Sequence, residues 1–281
     1  MNSIIVIGTS IIDQVMNLKN DFLEFGCNKV NADFYHGGSM RNVAEICSLL
    51  HLEVSFISKF GNDGNALDLI SHLEKENVSV YGPTIDLKTP IFTKINGNRE
   101  FMFATTTPDF SLNENDLIPL AVLNHQSYGI TDNHNEKFLD VLLKHGANTK
   151  WILSSFIPNI TYLNKLEGII LNEYEYRSFL KEQKENEYLS YLFDNGLNWM
   201  IITQGSNGCS LIKNRQTFHF PTQEKEGNTL GCGDAFSSGI IYGLVQNWDD
   251  ERMIAFAQKL ATITLNVSSS VNQEIKSLFN D

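Results

Sequence analysis

The stretch Asn228-Thr229-Leu230-Gly231-Cys232-Gly233-Asp234-Ala235-Phe236 places two glycines and an aspartate directly before a long apolar segment. From Ala235 to Val245 the apolar residues recur at helical spacing, which predicts a buried helix that begins at the glycine turn. The N-terminus of a helix presents unpaired backbone N–H groups and the positive end of the helix dipole, so the turn predicts an anion site. Asp234 is then either a reacting carboxylate or an ordinary helix cap.

Outside this turn, short apolar runs alternate with helix-like segments along most of the chain. Such alternation predicts a parallel sheet whose strands are joined by right-handed helical crossovers. The predicted strands are Ile4–Ile7, Val54–Ile57, Trp151–Leu153, Gly168–Leu171 and Trp199–Thr203, and the predicted helices are Ser39–His51, Ala66–Asn77, Glu136–His145, Tyr174–Glu187 and Asp234–Gln246.

Two stretches, at about 14–36 and 90–104, break this alternation. In the second, the pair Asn96-Gly97 lies between alternating apolar and polar residues, which predicts a hairpin with a tight type I′ turn. We expect these strands to form a small β-layer that covers the ligand edge of the main sheet as a lid, and an ordinary edge hairpin is the alternative. Residues 1–281 are thus expected to form one α/β domain with these two stretches inserted in it.

The composition narrows the classes of partner. The chain has 281 residues, of which 42% are hydrophobic, enough for one large core. A net charge of −12 argues against nucleic acids and anionic membranes as partners. The four cysteines are dispersed, the seven histidines are equally scattered, and no apolar run reaches the roughly 20 residues of a membrane span. We therefore expect a cytoplasmic protein without a histidine metal centre.

A second glycine pair occurs in His36-Gly37-Gly38-Ser39-Met40-Arg41-Asn42, again directly before a predicted helix. Paired glycines let a substrate lie against bare backbone, and the Asn42 amide can both donate to and accept from a hydroxyl group. A glycine turn that only opens the helix is the structural alternative.

Five features taken in order resemble the ribokinase-like carbohydrate kinases, also called the phosphofructokinase-B family. The turn at 228–234 is similar to that family's Asp-Thr-x-Gly-x-Gly-Asp motif, and Thr203-Gln204-Gly205-Ser206-Asn207-Gly208 is similar to its nucleotide-side turn. The resemblance spans nearly the whole chain and implies a three-layer α/β/α domain with a mainly parallel central sheet and a small β-sheet lid. The five features are Gly8 with Asp13, Gly37-Gly38 with Asn42, the Asn96-Gly97 hairpin, Asn172-Glu173-Tyr174-Glu175, and the 228–234 turn.

The resemblance also implies an activity, which is ATP-dependent phosphorylation of a hydroxyl group, most simply a primary alcohol, on a sugar, sugar derivative or nucleoside. Asp234 would be the base and the backbone N–H groups of Gly231, Cys232 and Gly233 the anion hole. The acceptor would be held by Asp13, Gly37, Gly38 and Asn42, and the nucleotide side formed by Asn172, Thr203, Gly205, Gly208 and Asn228, with Glu175 binding Mg²⁺ through water.

Simpler roles remain open for several of these residues. Asp13 could only brace its loop, Glu175 could be a solvated helix residue and Thr203 a strand end. Arg41 and Arg99 are expected to be surface cations, which become candidates for phosphate binding if the acceptor is already phosphorylated.

The chain departs from the family pattern in three places. The substrate-side segment Gly61-Asn62-Asp63-Gly64 is shortened. Asn228 replaces the usual aspartate, and the tail after Thr264 is brief and free of glycine, which weakens the case for a bound monovalent cation. Two other functions stay open: a vitamin-type kinase of the same superfamily, and a sugar- or nucleotide-binding relative without turnover. Asp13 and Asn42 favour a polyol acceptor, and Asp234 in its turn favours turnover. Unpaired edges of a lid sheet favour a homodimer through the lid.

Overall fold

The computed structural model describes residues 3–105, 110–116, 120–123, 127–133, 135–146, 148–154, 163–180, 185–223 and 225–279. These residues form a nine-stranded sheet with helices on both faces and a separate four-stranded sheet. In spatial order the strands of the large sheet are β13 (Gln216–Phe220), β12 (Cys209–Lys213), β11 (Trp199–Thr203), β10 (Leu166–Asn172), β9 (Lys150–Leu153), β8 (Tyr128–Thr131), β1 (Ser3–Ile7), β4 (Glu53–Ile57) and β5 (Val78–Tyr81).

The seven strands from β11 to β5 are parallel, and β12 and β13 extend the sheet as an antiparallel hairpin. All five strands predicted from apolar runs lie in this sheet, whereas the hairpin was not predicted. The helices are α1 (Ser39–Leu49), α2 (Gly64–Lys75), α3 (Leu120–Leu123), α4 (Glu136–His145), α5 (Glu173–Leu180), α6 (Glu185–Asp194), α7 (Cys232–Val245) and α8 (Asp250–Thr264), and a 3₁₀ segment spans Gln273–Phe279.

The central strand β1 explains the three layers. Successive side chains of a strand point to opposite faces, and here both faces are buried. Ile4 and Val6 belong to the apolar cluster beneath α1 and α7, whereas Ile5 and Ile7 belong to the cluster beneath α4 and α6. A continuous apolar run therefore specifies a strand between two helical layers, and the predicted α/β/α architecture is confirmed.

The smaller sheet has the spatial order β3 (Val30–Gly37), β2 (Ile11–Leu18), β6 (Ile91–Asn96) and β7 (Phe101–Ala104). Its strands lie in the two stretches that break the βα alternation, although β2 begins at Ile11 rather than at residue 14. β3 runs directly into α1 through Gly37 and Gly38, so this sheet is joined to the body beside the first helix.

One detail of the sequence prediction is wrong. The hairpin at Asn96-Gly97 is not a type I′ turn, because neither residue has the positive φ that such a turn requires, and the connection runs from Gly97 to Glu100. The described residues of the predicted helix Tyr174–Glu187 are helical and belong to α5 and α6, and residues 181–184 lie outside the described part of the chain. Within the described ranges, no helix combines the length and apolar character that a membrane span requires.

Candidate active site

The turn that opens α7 depends on both of its glycines, for different reasons. Gly231 is the N-cap residue with a φ of 78°, and a Cβ at this position would clash with the carbonyl oxygen of Ser270. At Gly233 a Cβ would meet no atom within 4 Å, so the backbone here faces open space. The N–H group of Gly233 lies in the first helical turn, where backbone N–H groups have no partner within the helix, and it can therefore bind an anion.

The N–H group of Cys232 is used differently from the sequence prediction. It donates to the carbonyl oxygen of Thr229 at 3.2 Å, so this donor is directed back into the turn. The Cys232 thiol lies 3.6 Å from the carbonyl oxygen of Asn228 and 3.5 Å from that of Ala261. The structure thus assigns Cys232 to the wall of the turn, with Gly233 as the exposed donor.

Asp234 and Asn42 meet although 192 residues separate them in the sequence. Asn42 Nδ2 donates to Asp234 Oδ2 at 2.8 Å. Burial raises the pKa of Asp234 to about 7, hydrogen bonds from Asn42 and Ser39 act to lower it, and the nearby carboxyl groups of Asp13 and Asp132 raise it further. A carboxyl group that titrates near neutral pH suits proton transfer at that pH.

Asp13 lies on β2 with only 4% of its surface exposed. Ser270 Oγ donates to Asp13 Oδ2 at 2.9 Å. Burial raises the pKa of Asp13, and the Ser270 hydrogen bond and the charge of Arg41 oppose the rise. A Cβ on Gly37 would clash with this carboxyl group, and a Cβ on Gly38, which has a φ of 101°, would clash with the carbonyl oxygen of Thr9, so the second glycine pair packs bare backbone against Asp13 and Thr9.

Arg41 is not a surface cation, and that prediction is wrong. Only 1% of its surface is exposed, and it forms an ion pair with Glu45, one helical turn along α1. Burial lowers the pKa of Arg41 to about 10, so the guanidinium remains charged at neutral pH. Arg99, by contrast, is exposed in the connection between β6 and β7, as expected.

Two adjoining cavities flank the start of α7 on the side of the nucleotide turn. The larger, of about 380 Å³, is lined by Thr203, Gly205, Gly208 and Cys232, and by residues that were not predicted: Lys225, Gln258 and Thr262 among them. The smaller, of about 250 Å³, contains Asp132, Asn172, Glu175 and Asp234. Thr203 and Gly233 line both cavities, so a single extended ligand could occupy the two.

Asn172 and Glu175 form a reciprocal cap at the start of α5. Glu175 Oε2 accepts from the N–H group of Asn172 at 2.9 Å, and Asn172 Oδ1 accepts from the N–H group of Glu175 at 2.8 Å. Glu175 Oε1 makes no hydrogen bond to the described residues and is available to water or an ion. Within the described part of the chain, no group of three or more His, Cys, Asp or Glu residues could hold a metal ion directly.

A third cavity, of about 360 Å³, lies between the smaller sheet and the body. The strand register places Val15 opposite Asp33 and Lys94, on the same face of the sheet as Asp13. Asn228, which was predicted for the nucleotide side, lines this cavity. The remaining lining residues are Asn17, Tyr35, Asn96, Glu100, Leu230 and Ser268.

Asn228 also fastens the chain tail to the glycine turn. Its Nδ2 atom donates to the carbonyl oxygens of Val267 and Ser268, each at 3.0 Å, and its Oδ1 atom accepts from the N–H group of Leu230 at 3.2 Å. A carboxylate at this position could not donate to the two carbonyl groups. The departure from aspartate is therefore matched by local hydrogen bonding.

Asp132 is the main site residue that sequence reasoning missed. It follows β8, and burial raises its pKa to about 7. The carboxyl ends of parallel strands form the ligand edge of an α/β sheet, so Asp132 would have been a candidate if β8 had been predicted.

Comparisons with known proteins agree with this geometry. The family model described as pfkB family carbohydrate kinase matches residues 1–276. The chain is 23% identical over 275 residues to an ATP-dependent 6-phosphofructokinase of Thermoanaerobacterium thermosaccharolyticum, with 87% of this chain and 82% of that protein covered. It is 25% identical over 293 residues to a deoxyribokinase of Salmonella typhi, with 93% and 92% covered.

The fold is similar to that of solved kinases as well. The crystal structure of ribokinase from Thermotoga maritima superposes with a TM-score of 0.82 at 19% identity and covers 99% of both chains. A glycine turn at a helix N-terminus, a facing aspartate and a matching family model over almost the whole sequence lead to one conclusion: this chain belongs to the pfkB family of carbohydrate kinases.

Proposed function

We propose that this carbohydrate kinase transfers the terminal phosphoryl group of ATP to a hydroxyl group of an uncharged sugar, sugar derivative or nucleoside. The observation that carries the proposal is the position of Asp234, whose carboxyl group contacts Asn42 at the junction between the nucleotide-side cavities and the acceptor side of the molecule. Asp234 accepts the proton of the attacking hydroxyl group, and its pKa of about 7 makes this feasible at neutral pH.

The nucleotide occupies the cavity of about 380 Å³, where Gly205, at which a Cβ would meet no atom within 4 Å, allows close approach and Lys225 supplies a positive charge. The terminal phosphate reaches the open backbone of Gly233 at the positive end of α7. Mg²⁺ fits beside it, because Glu175 keeps a free carboxylate oxygen in the adjoining cavity and Mg²⁺ commonly retains waters between itself and the protein. When bound, Mg²⁺ would neutralise phosphate charge, and Glu175 and Asn172 would hold it through water.

The acceptor occupies the space between the smaller sheet and the body. Asp13 and Asn42 present a carboxylate and an amide to neighbouring hydroxyl groups, and Gly37 and Gly38 make room for Asp13 and for the Thr9 carbonyl beside them. The smaller sheet covers this space as a lid, which keeps water from the reacting phosphate.

The charges of the acceptor cavity favour a polyol that carries no phosphate. Among the described residues, its lining has two carboxylates, Asp33 and Glu100, against one cation, Lys94, which lies 3.8 Å from Glu100. Asp13 lies two residues before Val15 on the same face of β2 and adds a carboxyl group nearby, and Arg41 is already paired with Glu45. A sugar phosphate would bring about two further negative charges into this surrounding, at a cost in binding free energy.

The test is ADP release from Mg·ATP in the presence of a panel of acceptors: free sugars, nucleosides, sugar 6-phosphates and hydroxymethyl heterocycles. We expect turnover with a free sugar or nucleoside that is lost in Asp234→Asn. Turnover confined to a heterocycle would identify a vitamin-type kinase, and turnover confined to a sugar phosphate would refute the charge argument alone. Saturable binding of a ligand without ADP release from any acceptor would refute kinase activity.

A further inference from the structure

A chain of buried polar contacts leads from Asp234 into the first turns of α1. Asn42 Nδ2 donates to Asp234 Oδ2 at 2.8 Å, and Arg41 Nη1 donates to Asn42 Oδ1, also at 2.8 Å. Arg41 Nη1 also donates to the carbonyl oxygen of His36 at 3.1 Å. Arg41 and Asn42 are 1% and 3% exposed. A single amide group thus joins the proposed base to a buried guanidinium.

At the end of these contacts away from Asp234, further polar groups hold Arg41 in place. Glu45, which forms the ion pair with Arg41, accepts from Gln273 Nε2 at 2.6 Å through Oε1, and the same oxygen lies 3.1 Å from His72 Nε2. Gln273 belongs to the C-terminal 3₁₀ segment and His72 to α2. Contacts from three parts of the fold therefore determine where the guanidinium lies.

The chemistry of these groups selects the orientation of the Asn42 amide. A guanidinium has only donors, so Asn42 must turn its Oδ1 atom towards Arg41 and its NH₂ group towards Asp234. An NH₂ group can only donate, and a donor stabilises a carboxylate over a protonated carboxyl group. In the reversed orientation the Asn42 carbonyl oxygen would face Asp234 and would favour the protonated form.

We propose that Arg41 is a positioning residue, which holds the Asn42 amide in the orientation that donates to Asp234 and thereby keeps the Asp234 carboxyl group ionised and ready to accept a proton. The catalytic meaning of this arrangement rests on the proposed function. The hydrogen bonds themselves are present in the protein without substrates, so the orientation is measurable independently of turnover.

The charge of Arg41 must be separated from its orienting effect. Asp234 is faced by the carboxyl groups of Asp13, Asp132 and Glu175 and by the Cys232 thiol, and the Arg41–Glu45 pair is faced by His36, His72 and Asp13. Burial lowers the pKa of both histidines, so they are neutral above pH 7. Removing Arg41 and Glu45 together leaves the net charge unchanged and avoids an unpaired buried ion, yet it removes the donor that orients Asn42.

The decisive variant is therefore Arg41→Met/Glu45→Met, compared with the wild-type protein. We expect the pKa of Asp234, measured by NMR on ligand-free protein with ¹³C-labelled aspartate, to rise by about one unit. The acid limb of the kcat–pH profile should move by the same amount, so that kcat is about tenfold lower at pH 6 and recovers at pH 9. The KM for the acceptor should change much less.

Two comparisons identify the route of the effect. In an Asn42→Ala background the same double substitution should cause no further pKa shift, because the amide that transmits it is absent. As a matched control, Lys213→Met/Asp250→Met removes an ion pair of 2.7 Å between β12 and α8 and should leave the pKa of Asp234 unchanged. If the Arg41→Met/Glu45→Met protein does not fold, Arg41→Leu/Glu45→Gln also leaves the net charge unchanged and removes the donor at position 41, while the glutamine at position 45 can still accept from Gln273, and it should raise the pKa in the same direction.

An Asp234 pKa that is unchanged or lower in a folded variant would overturn the inference, as would an equal shift in the Asn42→Ala background. Failure of the proposed function looks different. The pKa shift and its dependence on Asn42 would persist, while no acceptor would yield ADP.

Discussion

Asp234→Asn should inactivate the enzyme and at the same time stabilise the fold. Burial raises the pKa of this carboxyl group from 3.8 to about 7, so the folded state opposes its ionisation. The rise is about three units, which corresponds to about 4 kcal/mol at 1.36 kcal/mol per unit. Because Asp234 keeps partial contact with solvent, we expect about half of this, about 2 kcal/mol, to be measured.

The pH dependence of this gain has a definite sign. An acid whose pKa is raised on folding destabilises the native state only where the unfolded chain would be ionised, so the destabilisation is absent below pH 3.8 and complete above about pH 7. The Asp234→Asn variant has no ionisable group at this position and is not destabilised in this way. Its advantage over the wild type should therefore be largest at pH 8.5 and shrink as the pH falls.

The assay is urea unfolding of both proteins at pH 5.5 and pH 8.5, followed by circular dichroism. Asn at this position can still accept from Asn42, so the local hydrogen bond is retained. In parallel, kcat should fall by about 10²- to 10⁴-fold, with little change in the KM for ATP. If Asp234→Asn is less stable than the wild type at pH 8.5, or equally active, Asp234 is not a desolvated proton acceptor.

Three further predictions concern the glycine turn, Asn228 and the smaller sheet. Gly231→Ala should destabilise the fold by more than about 1 kcal/mol because of the positive φ of Gly231 and the clash with Ser270. Gly233→Ala, whose Cβ meets open space, should keep the melting temperature of the wild type and raise the KM for ATP. Equal effects of the two substitutions would contradict the roles assigned to the two glycines. Asn228→Asp should lower the free energy of unfolding by about 1–3 kcal/mol because the new carboxylate faces two carbonyl groups, and K⁺ should partly restore the melting temperature of this variant. The wild-type protein should have the same stability and the same turnover in KCl as in choline chloride. Activation of the wild type by K⁺ would refute this prediction. Phe34 and Phe103, which are 60% and 58% exposed, flank Gln14 and Thr93 on the face of the smaller sheet opposite Asp13. We therefore expect a homodimer through this face, and Phe34→Ser/Phe103→Ser should convert it to a monomer in light-scattering measurements. A monomeric wild-type protein would disprove the prediction.

The parts of the fold that follow from local sequence were predictable. β1 is a continuous β-branched run, and the glycine turn before α7 marks the start of a helix, so the sheet and this helix could both be inferred. β8 escaped prediction because it is four residues long and contains Gly129, whose missing Cβ leaves room for the ring of Trp151. Asp132 at its end was missed for the same reason.

The errors arose where distant residues decide the local structure. Arg41 is buried because Glu45 is itself held by Gln273 and His72, which no local pattern reveals. The Asn96-Gly97 hairpin is longer than its sequence suggests because Asn96 Nδ2 donates to Asn17 Oδ1 and Asn98 Oδ1 accepts from the N–H group of Phe22. These tertiary contacts outweigh the turn preference of Asn-Gly.

The proposed function divides two tasks between the smaller sheet and α7. Val15, Asp33 and Lys94 line the cavity proposed for the acceptor and lie on the smaller sheet, whereas Asp234 and Gly233 belong to the body. Amino-acid changes on those strands should then alter which alcohol is accepted and leave the proposed proton acceptor unchanged. A combinatorial library at these three positions, selected on new sugars, would be a direct route to kinases with chosen preferences.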